Sequence, residues 1–210
     1  PSASASVLPP LWQIPQAIRD RVGRTAGPQR SMLEEGHLLI IVHQAPGPDE
    51  TERTPAFFLR APDGKWQAHG VKAHGAAAIS ALLKSYEERL HELELLEQAA
   101  STARSYHAVL EAVAPVLRSS RGLHRALQQA REFIKADRDL INFRDEAAGI
   151  ERTAELLLQD AQHGLSCTMA RQAEDQADHA RQMAVTAHRL NVLAAIFLPL
   201  GTLAGIFGME

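Results

Sequence analysis

The chain has one cysteine, Cys167, in 210 residues. An internal disulfide framework is therefore excluded, and a lone thiol fits a reducing compartment. Basic residues are not in excess: 22 Lys and Arg against 25 Asp and Glu leave a formal charge of −3. That is not the electrostatic footprint of a nucleic-acid binder. Enzyme signatures are missing too. There is no glycine-rich phosphate loop, no G-x-S-x-G and no H-E-x-x-H, and His91-Glu92 lacks a second histidine four residues after the first. The ten histidines are scattered, with only His69 and His74 forming a near pair, placed in a loop region and expected at the surface. The opening PSASASVLPP has no basic start and no apolar segment, so it does not read as a signal peptide. Its Ser, Ala and Pro content predicts an unanchored segment. Two further absences shape the C-terminal half: no proline between Pro115 and Pro199, and no charge between 192 and 209.

What is present reads in order as an α+β chain, mostly α. Residues 15–22 predict a short helix, with Pro15 in its first turn and Gly23 at its end. The apolar run Leu38-Leu39-Ile40-Ile41-Val42 predicts a buried strand, and Ala56-Phe57-Phe58-Leu59-Arg60 a second. Pro62-Asp63-Gly64 is a tight turn, because Pro presets φ and Gly accepts a positive φ. Residues 65–71 would return as a third strand. A sheet of about three strands cannot stand alone and must lean on helices. From Ala76 onward the chain predicts long helices. Ile79, Leu83, Tyr86, Leu90 and Leu93 form one stripe, with Glu87, Glu88, Arg89 and Glu92 opposite. The first helix is expected over 76–114, a break at Pro115, and a second helix to about Lys135. Ala136-Asp137-Arg138-Asp139 marks a turn, and a last helix starts near Asp139. The expected division is a leader with a short helix over 1–35, a small antiparallel sheet over 36–72, a long-helix bundle or stalk over 73–188, and a transmembrane helix over 189–210.

That last stretch organises the chain. About eighteen charge-free residues make roughly 27 Å of helix, close to the hydrocarbon thickness of a bilayer. Thr202 is its only polar side chain in that window. Pro199 would break a soluble helix but is tolerated in a membrane one. A buried hairpin helix in a soluble bundle is the alternative. The run Ile196-Phe197-Leu198-Pro199-Leu200, followed by Ala204-Gly205-Ile206-Phe207-Gly208-Met209, resembles the first membrane helix of the CorA-type magnesium channels. In that family, IF-x-PL is followed by AGI-(Y/F)-GMN. The register matches without gaps from Ile196 to Met209, and the departure is Glu210 in place of the signature Asn.

A seven-residue repeat runs through the same helix. Ala170, Ala177, Ala184, Asn191, Leu198 and Gly205 recur at one phase, and Ala173, Ala180, Ala187, Ala194, Gly201 and Gly208 at another. Small residues in an a/d-like seam let helix backbones approach closely, and Gly201 and Gly205 form a G-xxx-G pair. A continuous helix of about fifty residues, near 75 Å, needs partners along its length, which favours an oligomer. The resemblance implies a homopentamer in which Ala184, Ala187, Asn191, Ala194, Leu198, Gly201, Gly205 and Gly208 line a pore. It also places Gly208, Met209 and Glu210 at the filter, with Glu210 the metal-binding residue. Packing of Ala-rich helices within one subunit is the alternative. Glu174 and Asp178, one turn apart, are read as a solvated acidic face.

The function expected on this resemblance is a divalent-cation channel subunit of the inner or plasma membrane. Mg²⁺ would be the transported ion, with no cofactor, and the N-terminal region cytoplasmic. Arg171, Arg181 and Arg189 before the span agree with that orientation. A second membrane helix is expected after Glu210. The alternative is a membrane-anchored helical scaffold of the same family without transport. The expected partners are other copies of the chain and the bilayer.

Overall fold

The computed structural model describes residues 7–25, 27–48 and 53–207. In chain order the elements are α1 (Gln16–Asp20), β1 (Arg30–Glu34), β2 (His37–His43), β3 (Pro55–Arg60), β4 (Trp66–His69), α2 (Ala77–Gln98), α3 (Ala103–Phe133) and α4 (Arg138–Phe207). Two compact units divide at His163 and Gly164.

The sheet is an antiparallel meander in the order β1-β2-β3-β4. It has one strand more than expected. β1 pairs with β2 from Arg30↔Ile41 to Glu34↔His37. The two-residue connection is Glu35-Gly36, at φ 49 and 75°. Two successive positive φ values are what a tight hairpin turn needs to match strand twist. The turn at Pro62-Asp63-Gly64 forms as expected. Gly64 sits at φ +86°, its N–H donates to the Ala61 carbonyl, and Ala61 N–H donates to that of Lys65.

The apolar run in β2 has no polar alternation because both faces of the sheet are covered. Leu38, Ile40, Val42, Ala56 and Phe58 pack against α2 and α3 in the main core. Leu39, Ile41, Phe57, Leu59 and Met32 face the other way, onto Leu8, Ile14 and Ile18, with Trp12 and Val22 at the margin. The expectation of an unanchored opening segment is thus corrected over its described part: Leu8 is buried, because an apolar sheet face needs a cover. Residues 1–6 lie outside the described residues.

The helix boundary expected at Pro115 is also corrected. α2 ends at Gln98, and Pro115 lies inside α3. The carbonyl left without an N–H partner by Pro115 is that of Glu111, an exposed residue, so water can satisfy it. The real break is made by capping. Thr102 accepts from the Ser105 N–H, and the Ser105 hydroxyl accepts from the Thr102 N–H, a reciprocal box that starts a new helix. The expected stripe on α2 is buried throughout.

α4 begins where the sequence placed it. Asp137 accepts from the N–H groups of Asp139 and Leu140 at 3.0 and 3.3 Å. Its other oxygen lies 2.9 Å from Arg60 Nε on β3, an ionic contact outside hydrogen-bond alignment. Leu140, Phe143, Ala147, Ile150, Ala154, Leu157 and Ala161 are buried at alternating three- and four-residue steps, a single helix stripe against the main core.

A polar network crosses that core. The Tyr86 hydroxyl donates to the His43 carbonyl at 3.0 Å and lies 2.6 Å from the Ser119 hydroxyl. Gln29 Nε2 donates to the Ser119 carbonyl, and Gln29 Oε1 accepts from the His43 N–H. Burial pushes the Tyr86 phenol up to about 12, opposed by the Ser119 hydrogen bond. Burial holds the His43 imidazole below the ordinary histidine value, although its hydrogen bond to the Gly27 carbonyl works the other way; Arg53 adds to the lowering.

Candidate functional site

The second unit, 164–210, consists of the remainder of α4 as far as Phe207. Every residue from 171 to 203 is exposed. Large apolar side chains are included: Leu190, Val192, Leu193, Ile196, Phe197, Leu198, Leu200 and Leu203 are 45–69% exposed. Among the described residues this is the one helix long and apolar enough to cross a membrane.

Its surface is two-sided. At about 100° per residue, Asn191, Ala194, Ala195, Leu198, Gly201 and Thr202 fall within roughly a third of the circumference. Val192, Leu193, Ile196, Phe197, Leu200 and Leu203 occupy the rest. One face is therefore small or polar, broken only by Leu198, and the other is bulky and wholly apolar. A Cβ added at Gly201 would meet nothing within 4 Å, so no contact among the described residues accounts for that glycine. Ala184 and Ala187 continue the small face before the span and are exposed. Gly205 is helical. Gly208, Met209 and Glu210, the expected filter, lie outside the described residues.

Pro199 does not end the helix. It leaves the Ala195 carbonyl without its usual N–H. Nearby, the Thr202 hydroxyl is placed to donate to the Pro199 carbonyl at 2.8 Å or that of Leu198 at 3.1 Å, so its polar atom is satisfied within the helix. Thr202 and Ala195 were not in the seven-residue seam. They join the small face because a straight helix repeats at about 3.6 residues and not 3.5.

The other polar candidates do not assemble. His69 ends β4, with its ring 6.5 Å from that of Trp12 and 6.3 Å from that of Phe57. His74 is exposed in the following loop. Glu174 and Asp178 are exposed, and Asp178 lies 3.5 Å from Arg181. No group of three or more His, Cys, Asp or Glu able to hold a metal occurs among the described residues.

No family model matches the sequence, and no curated protein matches it. Solved structures do match in shape. The cytoplasmic domain of ZntB from Vibrio parahaemolyticus aligns with a TM-score of 0.61 at 13% identity, over 77% of this chain and 80% of that one. The fold is shared. Full-length CmaX aligns with a TM-score of 0.48 at 12% identity, over 94% of this chain and 71% of that one. At such identities the side chains have diverged almost completely. The likeness to the ZntB domain is therefore one of architecture: a small sheet followed by long helices.

Proposed function

We propose that the chain is a subunit of a divalent-cation channel, built as a homo-oligomer around a ring of α4 helices. The observation that carries this reading is the two-sided exposed end of α4. The bulky apolar face suits lipid, and the small face suits close approach of identical helices around an axis. Three things support it: the resemblance of residues 196–209 to the first membrane helix of CorA-type channels, the fold shared with a domain described as cytoplasmic, and the length of the charge-free stretch. Mg²⁺ is the proposed ion and five the proposed number of copies, both from the family resemblance. The N-terminal unit lies on the cytoplasmic side of an inner or plasma membrane.

In this arrangement Asn191 forms a polar collar at the cytoplasmic surface, and Leu198 is an apolar constriction that gates by dewetting. Glu210 stands where the family carries a neutral amide. A ring of carboxylates there would bind a hydrated dication more tightly than amides do and release it more slowly.

The test is Mg²⁺ uptake by vesicles reconstituted with the full chain, Cys167 replaced by Ser. A water-borne thiol reagent should block uptake in Leu198→Cys and Gly201→Cys but not in Ile196→Cys or Leu203→Cys. Glu210→Asn should flatten the acid sensitivity of uptake. Equal block on both faces, or no uptake by the unmodified chain, would remove the pore reading.

A further inference from the structure

Two flanks of the first unit carry opposite charge. α2 holds five acidic and two basic residues, while α3 holds five basic and two acidic. Between α2 and the start of α4 runs a groove of about 360 Å³, where Glu87, His91, Glu94 and Glu146 rim Leu90 and Ile150. It adjoins a second hollow of about 350 Å³ edged by Glu97, Asp160 and Leu156. Leu156 is exposed there. This flank is acidic and partly apolar.

The other flank is the outer face of α3. Arg104, Arg118 and Arg125 are exposed and fall on one stripe at helical spacing, with the exposed Glu111 as the one carboxylate between them. Arg121 beside them is held at 2.8 Å by Glu155 and at 3.7 Å by Glu151 of α4. On α4, therefore, Glu146, Thr153 and Asp160 face the α2 side, and Glu151 and Glu155 face the α3 side. The two flanks lie on opposite sides of the same helix and cannot meet within one copy.

We infer that the acidic α2–α4 groove of one copy receives the arginine stripe on α3 of the next copy. The partner is a second copy of this chain, joined head to tail. Such a contact uses two different patches, so it propagates and closes into a ring if the rotation permits. Opposite charges on the two patches also oppose the self-pairing of either one, because like charges would then face each other. The inference rests on the oligomeric reading above and adds which surfaces meet.

The experiment is thiol cross-linking of the full chain in detergent, with Cys167 replaced by Ser. His91→Cys marks the acidic flank and His107→Cys the basic one; both histidines are exposed, and both lie within a few turns of the α2–α3 connection. With a flexible bis-maleimide of about 10 Å span, longer than a direct hydrogen bond, the double variant should give a ladder of oligomers. Each single variant should run as a single uncross-linked chain on a denaturing gel. In the double-cysteine background, Glu94→Lys with Glu97→Lys should abolish the ladder, as should Arg118→Glu with Arg125→Glu. Combining all four reversals should restore it. Dimers formed by either single cysteine variant, an absent ladder in the double variant, or no restoration on combining the reversals would each overturn the inference. Flotation with vesicles is scored on the same samples. A chain that ladders but does not float would sink the membrane reading and leave this interface standing.

Discussion

Replacing Ile196 and Leu203 together by Asp should expel α4 from a bilayer. The nine Val, Leu, Ile and Phe residues between 192 and 207 contribute about −3 to −5 kcal/mol on the insertion scale, each being worth about −0.3 to −0.6. An Asp near the middle costs about 2.5–3.5 kcal/mol. Two of them, with the lost contribution of the residues they replace, amount to about 6–8 kcal/mol. The sign of the whole balance reverses. Both positions lie on the bulky face, are 52% exposed, and make no contact in the core, so the folded first unit is unaffected. The assay is flotation of purified chain with lipid vesicles on a density gradient, monitored together with far-UV circular dichroism. The unmodified chain should float, and the double variant should stay in the aqueous fractions with its helix content in the first unit intact. Met183→Asp, at an exposed position before the span, should float like the unmodified chain. If the double variant floats as well as the unmodified chain, the apolar stretch is not what holds this protein to lipid.

Two more outcomes concern the core of the first unit. Tyr86→Phe removes the donor to the His43 carbonyl and the partner of the Ser119 hydroxyl, and should cost about 1–3 kcal/mol for leaving buried polar groups unmatched. Urea unfolding within a few tenths of the unmodified value would show that the network is idle. Burial holds the His43 pKa below its unfolded value, so its stabilising contribution is complete above about pH 6.5 and is lost as pH falls below that through the folded value. The drop in melting temperature between pH 8 and pH 5 should therefore shrink in His43→Gln; an equal or larger drop would refute this assignment.

Much of the layout was readable from residue patterns, and the misses have physical causes. The start of α4 followed from the polar run Ala136-Asp137-Arg138-Asp139, and the Pro62-Asp63-Gly64 turn from its φ requirements. β1 was missed because Arg30-Ser31-Met32-Leu33-Glu34 is short and only partly apolar. Its signal lay instead in Glu35-Gly36, a two-residue turn directly before an apolar strand. Pro115 was overvalued because a helix interior tolerates proline where the freed carbonyl reaches water. The Thr102 and Ser105 box was undervalued because no Gly or Pro announces that break. The small face of α4 was legible as a seven-residue repeat, but Ala195 and Thr202 emerged only when residues were placed on a straight helix. The opposed flanks of α2 and α3 could not be read at all, since they depend on which side of α4 each helix packs.

The segment that covers the second sheet face has a consequence for handling this protein. β2, His-Leu-Leu-Ile-Ile-Val-His, has neither proline nor any Asp, Glu, Lys or Arg. Runs of that kind stack into fibrils when left open. Here the hazard is suppressed on one side by α2 and α3 and on the other, among the described residues, by Leu8, Ile14, Ile18 and their neighbours. A shortened version beginning at β1 would bare Met32, Leu39, Ile41, Phe57 and Leu59 together, a contiguous greasy sheet beside an unshielded edge strand. Proteolytic clipping before Gly23 would therefore turn a folded unit into a seed for precipitation, without touching a single residue of the long helices.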